Sequence, residues 1–170
     1  TTFNHTGAIH GFGSANTPVP YTITINKGQT YLVRSNGDDN ENDMSGSIIE
    51  ATNPIAVISG HENAYLGAAD PYTIEERDFM IEQMIPYEYW DSLGYISIPL
   101  AEPTAPAEVG NGDAYRIYTF DNSITNLHQK IGSGGNDFSI SRFHFAEKLN
   151  VTGPTETYST DGKKISVIQY

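Results

Sequence analysis

The chain has 170 residues and carries 9 basic against 21 acidic side chains, a net charge of −12. That length fits one domain, or two closely packed halves, and is enough to bury most of the apolar surface. The acidic balance argues against nucleic acid as a partner, because phosphate contacts need clustered Lys and Arg. With no cysteine in the sequence, disulfides, Cys-ligated zinc and Cys nucleophiles are excluded. No apolar run approaches the ~18–20 residues of a membrane span, so direct membrane insertion is not expected.

In chain order, residues 1–18 are rich in Gly, Asn and Thr, and 1–6 read as the end of a strand. The sequence starts at Thr1 without a visible leader, so the reading is a processed end or a piece of a longer surface protein. Residues 21–25 (Tyr-Thr-Ile-Thr-Ile) alternate at period two, 26–29 is a turn, and 30–34 reads as the partner strand of a hairpin. Residues 35–46 form an acidic loop.

Residues 46–60 then read as two strands around a Thr52-Asn53-Pro54 corner, since Pro fixes φ and biases its predecessor away from helix. The run Ile55-Ala56-Val57-Ile58 between turn signals suits a strand buried on both faces, and is expected to be the centre of the core. Residues 61–73 read as a loop. Residues 73–85 carry the sequence's one helix signal. Thr73 and Glu76 match a capping box, Ile74, Arg77, Asp78, Ile81, Met84 and Ile85 follow helical spacing, and Pro86 ends the segment. An extended conformation is the open alternative.

Residues 94–98 read as a strand, and 101–112, with Pro103, Pro106, Gly110 and Gly112, as a long loop. Residues 114–120 alternate, 121–122 turn, and 123–131 are expected to pair back. After a turn at 132–137, residues 138–145 alternate around a bulge at Ser141-Arg142, and 155–158 and 164–170 close the chain. Many short strands at regular spacing predict an all-β fold, a β-sandwich of jelly-roll-like form with one short helix near 73–85. A short echo between 55–59 (Ile-Ala-Val-Ile-Ser) and 165–169 (Ile-Ser-Val-Ile-Gln) suggests two similar halves, 1–60 and 61–170, within the single module.

The ordered series of residues 21–31, Gly46-Ser47-Ile48-Ile49, 53–60, Asp78, Glu82-Gln83, Pro86, Trp90, Gly94-Tyr95, 112–116 and 167–170 resembles the IgGFc-binding protein N-terminal domain family. The likeness covers residues 20–120 well and the tail loosely. Animal members carry cysteines near the segment matching 61–78, and the family's Trp-Gly is here Trp90-Asp-Ser-Leu-Gly94. The Cys-free, acidic form is more similar to the branch found in large bacterial surface proteins. The resemblance implies a non-enzymatic, extracellular or cell-surface module for adhesion or binding. Its implied partners are a host or neighbouring-cell surface protein or a glycan, with self-assembly by strand addition as a variant. It does not imply that this chain binds IgG Fc.

Two groups of residues are candidates for binding. Asp38, Asp39, Glu41 and Asp43 lie in a Gly-flanked loop of hard oxygen donors that suits Ca2+, although without EF-hand spacing; no other cofactor is expected. Tyr87, Tyr89 and Trp90, with Tyr95, form an aromatic group next to the polar pair Glu82 and Gln83. The aromatic rings serve as a binding platform or as corner packing. Glu82 and Gln83 either touch ligand or, if buried, bond loop backbone and lock the Trp90 region. A different class of function, a carbohydrate-binding module or a glycoside hydrolase, would use a groove at Trp90 flanked by carboxylates. No sequence signature of a catalytic triad, P-loop or dinucleotide site is present. The loops 35–45, 61–72 and 101–112 are the expected contact surfaces.

Overall fold

The computed structural model describes residues 2–6, 20–34, 44–64, 78–98, 113–151 and 153–169. The fold is all-β, and the described residues form twelve strands in antiparallel sheets and one short 3-10 turn. Its core is a sandwich built from the last seven strands. One sheet has the order β10 (Phe145–Val151), β7 (Asp113–Thr119), β12 (Ile165–Gln169). The facing sheet has the order β6 (Tyr95–Ser97), β11 (Thr155–Ser159), β8 (Thr125–Ile131), β9 (Gly134–Ile140). Ile117 and Ile165 from the first sheet meet Leu127 and Ile140 from the second, with Tyr95, Phe138, Ala146 and Val167 packed around them.

This strand order is that of a jelly roll. The four-stranded sheet is complete, and the three-stranded sheet lacks one edge strand among the described residues. A single bridge, Asp91 to Ile165, occupies that edge position, with the Ile165 N–H donating to the Asp91 carbonyl at 2.9 Å. The Tyr95 hydroxyl closes the same side by donating to the Ile165 carbonyl at 2.7 Å.

Apart from the hairpin β8–β9, closed by Gly132-Ser133, successive strands from β7 onward cross between the two sheets. Residues 123–131 therefore do not pair back on 114–120 as expected. The strand after the Asp121 turn joins the opposite sheet, where Leu127 can face Ile117 rather than lie beside it. The expected bulge at Ser141-Arg142 is likewise a crossing turn, with the His144 N–H donating to the Ser141 carbonyl at 3.1 Å and Phe143 at φ +68°. The predicted turn 132–137 is mostly strand. Alternation along the chain reports which face a residue shows, and carries no information on which sheet the strand joins.

Before the sandwich lie two smaller sheets. In the first, β1 (Thr2–Thr6) sits between β2 (Pro20–Thr24) and β3 (Ile48–Ala51). The predicted hairpin 21–34 has its turn, with the Gln29 N–H donating to the Asn26 carbonyl at 3.0 Å, but 30–34 is not strand. β2 pairs with β1 instead. In the second, β4 (Ile58–Ala64) pairs with β5 (Asp78–Gln83), matching Ile58 to Gln83 and Gly60 to Ile81.

This ribbon corrects three expectations. The described part of the predicted helix, from Asp78 onward, is strand, because Phe79 and Ile81 alternate with Met80 and Glu82 and their backbone groups pair with β4. Thr73 and Glu76 lie outside the described residues. The loop expected from residue 61 begins later, since 61–64 belongs to β4. Finally, residues 55–58 are not a strand buried on both faces. Residues 54–57 are irregular, and Ile58 is 65% exposed. A strand buried on both faces needs cover above and below, and among the described residues β4 forms only a two-stranded ribbon with β5. The core lies in β7, β8, β9 and β12.

Candidate functional site

The crossing turns 120–124, 141–144 and 160–164 fall at one end of the sandwich, because each follows a strand running in the same direction. The segment leading into β6 arrives there too, and it carries the aromatic residues singled out from the sequence. Pro86 starts a 3-10 turn, Tyr87–Tyr89, and Trp90 follows it. The Trp90 indole N–H donates to the Ile85 carbonyl at 3.0 Å, which pins the ring. Tyr87 meets Trp90 edge-on at 5.6 Å and Phe120 at 4.6 Å between centroids.

Two cations cap this stack. Lys164 Nζ lies 5.2 Å from the Tyr87 ring centroid and donates to the Glu88 carbonyl at 2.8 Å. Arg142 lies 4.8 Å over Phe120 and donates to Asn122, tying two of the crossing turns together. Cation–π contacts of this kind contribute on the order of 0.5–2 kcal/mol each. Tyr87, Trp90 and Phe120 are half-buried. Of the four aromatic residues, the structure brings Tyr87 and Trp90 together. Tyr89 points outward, 77% exposed, and Tyr95 belongs to the sandwich interior.

Glu82 and Gln83 are exposed and sit on opposite faces of β5, across from Ser59 and Ile58. They do not lock Trp90 from a buried position; the Ile85 carbonyl does that. Asp38, Asp39, Glu41 and Asp43 lie outside the described residues. Among the described residues no group of three or more His, Asp or Glu side chains is arranged to hold a metal ion.

Among the described residues, the ribbon carries a group of exposed apolar side chains. Ile58, Phe79 and Ile81 share one face by register, and Ile85 continues it past the end of β5. They are 65%, 64%, 63% and 60% exposed. Met80, Met84 and Val57 are half-buried.

Two sites of the fold were not foreseen from the sequence. Arg116, on the outer face of β7, donates to Glu147 at 2.7 Å and to the Ser45 hydroxyl at 2.8 Å, with its guanidinium 4.5 Å over Phe145. It thereby ties the turn before β3 to the sandwich. Its neighbour Tyr115 faces inward, and burial, then the nearby Asp113 charge, raises its hydroxyl above the ordinary tyrosine range. The alternation of 113–119 assigns the two faces, but not the partner that arrives from residue 45. The second is Asp161. Burial pushes its carboxyl up, but hydrogen bonds from the Asn126 N–H, the Ser159 hydroxyl and Lys163 hold it well below the usual carboxylate range.

Against family models, residues 2–170 match the family described as IgGFc binding protein. The chain belongs to this family. The match spans essentially the whole sequence, so β1 and the closing strand β12 are part of the family unit along with the segment 20–120. No curated protein and no solved structure matches the chain. The family is thus described by a binding activity. The residues quoted for the resemblance fall on β2 and the turn after it, on the start of β3, on 53–60 leading into β4, on β5 (Asp78, Glu82, Gln83), on the Trp90 segment, and on β7 and β12. Among the described residues no helix is long and apolar enough to cross a membrane.

Proposed function

We propose that the chain is a non-enzymatic, extracellular binding module, one unit of a longer bacterial surface or appendage protein, and that it acts in adhesion through protein contacts. Family membership supports the binding role, and the observation that carries the choice of surface is the exposed apolar face of the β4–β5 ribbon. Four large apolar side chains, each more than half exposed on one face, are characteristic of protein interaction surfaces. The loops first expected to make contact lie mostly outside the described residues, whereas Ile58, Phe79, Ile81 and Ile85 are all described.

The mechanism is surface complementarity. Aliphatic and aromatic anchors exclude water on docking, and Gln83, which shares their face between Ile81 and Ile85, sets orientation. The test is adherence of chain-coated beads to cultured cells, compared with Ile81→Lys. Because Ile81 is exposed, this change should alter stability by less than about 0.5 kcal/mol, and circular dichroism checks that the fold is kept. Adherence that drops several-fold supports the reading; unchanged adherence contradicts it.

A further inference from the structure

The outer face of the four-stranded sheet carries a second, separate feature. A shallow cleft of about 470 Å³ is lined by Asn126, Asp137, Ser139 and Thr160, together with Leu127 and Phe138. Asn126 lies across from Ser139, and His128 lies across from both Asp137 and Tyr158. All five therefore show the same outward face. His128 Nδ1 is 2.6 Å from Asp137 Oδ1, and its ring lies 5.2 Å from that of Tyr158.

The site is built rather than incidental. Gly135 passes so close to His128 that a Cβ there would stand 2.8 Å from Nε2. The imidazole is thus confined between Gly135, Tyr158 and Asp137, and it in turn fixes the carboxylate. Asn126 donates its side-chain amide to Asp161 at 3.2 Å, which orients it and leaves its carbonyl Oδ1 without a partner. Oδ2 of Asp137 and the Ser139 hydroxyl are also without partners among the described residues. Thr160 is held over the cleft by its N–H, which donates to the Asn126 carbonyl at 2.9 Å.

We propose that this cleft binds an uncharged glycan residue. Its polar atoms are two fixed acceptors plus one hydroxyl, which match the donor-and-acceptor character of adjacent sugar hydroxyls. Outside the lining itself but on the same outward face, the Tyr158 ring packs against His128, and its other side can meet the C–H face of a pyranose. The volume lies within the range of small-molecule sites, about 300–1,000 Å³. The cleft has one uncommitted carboxylate oxygen, so a cationic ligand is the competing occupant that the test includes. The other nearby carboxylate, Asp161, is already engaged by Asn126, Ser159 and Lys163. The inference is independent of the ribbon surface, and it places the sugar away from Trp90.

Two-dimensional NMR of the 15N-labelled chain tests this, with the methyl glycosides of galactose, glucose, mannose and N-acetylglucosamine as probes and N-acetyl-arginine amide as the cationic control. The expected result is saturable shifts at millimolar concentration for at least one sugar, confined to the amides of 126, 137, 139 and 160. Asp137→Ala should weaken that binding about tenfold, the loss of one charge-assisted hydrogen bond, with Ser139→Ala weakening it less. Asp137 is exposed, and the same spectra report whether each variant is folded. The proposal is overturned if no sugar shifts these amides, if Asp137→Ala binds equally well, if shifts centre on Trp90, or if the arginine amide alone binds.

Discussion

Arg116 makes three contacts at once, to Glu147, Phe145 and Ser45. Each needs a different property of the guanidinium: charge, a flat face and a second donor. Lysine has the charge and further N–H donors on one nitrogen, but neither the flat face nor the planar fork that reaches Glu147 and Ser45 together. Arg116→Ala should therefore cost about 2–3 kcal/mol, and Arg116→Lys should recover less than half of it, as read from denaturant midpoints. Full recovery by Lys would reduce the site to a simple charge pair. Asp161 gives a pH-dependent counterpart. Its folded value is lower than its unfolded one, so its contribution is present above about pH 4 and is lost as pH falls. Asp161→Asn should melt lower than the parent at pH 7, by about 1–2 kcal/mol of lost hydrogen bonding. The gap should narrow progressively as pH falls from about 4 toward the much lower folded value; a gap constant with pH would remove the charge from the account. Neither residue was legible in the sequence, because the partners of Arg116 come from positions 45, 145 and 147 and those of Asp161 include position 126. Separations of that size leave no local pattern.

At the scale of elements, the strands β2, β6, β7, β11 and β12 were legible from alternation and turn chemistry, and the junctions between them were not. A two-residue loop and a sheet-crossing turn have similar composition, and which one forms is decided by where Leu127 and Ile140 find apolar cover. The ribbon was misread for a related reason. Residues 78–85 fit both periods over their short length, and the ladder with β4 decided between them. Gly60 is the sensitive point of that ladder. A Cβ there would lie 2.5 Å from the Met80 carbonyl oxygen, a backbone atom that cannot yield without breaking register. Gly60→Ala should therefore disrupt the ribbon while leaving the sandwich intact. Hydrogen exchange would then quicken at 58–64 and 78–83 and stay unchanged in β7 and β8. Equal loss of protection in both regions would mean that they unfold as one unit.

For the whole molecule, the structure separates support from contact. The sandwich holds the buried core, with Ile117 and Ile165 fully inaccessible, and Ile117→Ala should lower stability by about 2–5 kcal/mol through the cavity it leaves. The apolar face of the ribbon and Tyr89 at the crossing-turn end are exposed. The all-β class and the jelly-roll form were readable from many short strands. The location of the core was not, since Ile55–Ile58 and Ile165–Ile168 have near-identical apolar character and differ only in what lies beside them. The claim that the ribbon is the binding surface is tested most directly by comparing cell adherence of beads coated with the parent chain, with Phe79→Ser/Ile81→Lys on the ribbon, and with Tyr89→Ser at the crossing-turn end. The account predicts that adherence falls to background for the ribbon variant and is kept for Tyr89→Ser. Parent-level adherence of a correctly folded ribbon variant would contradict it.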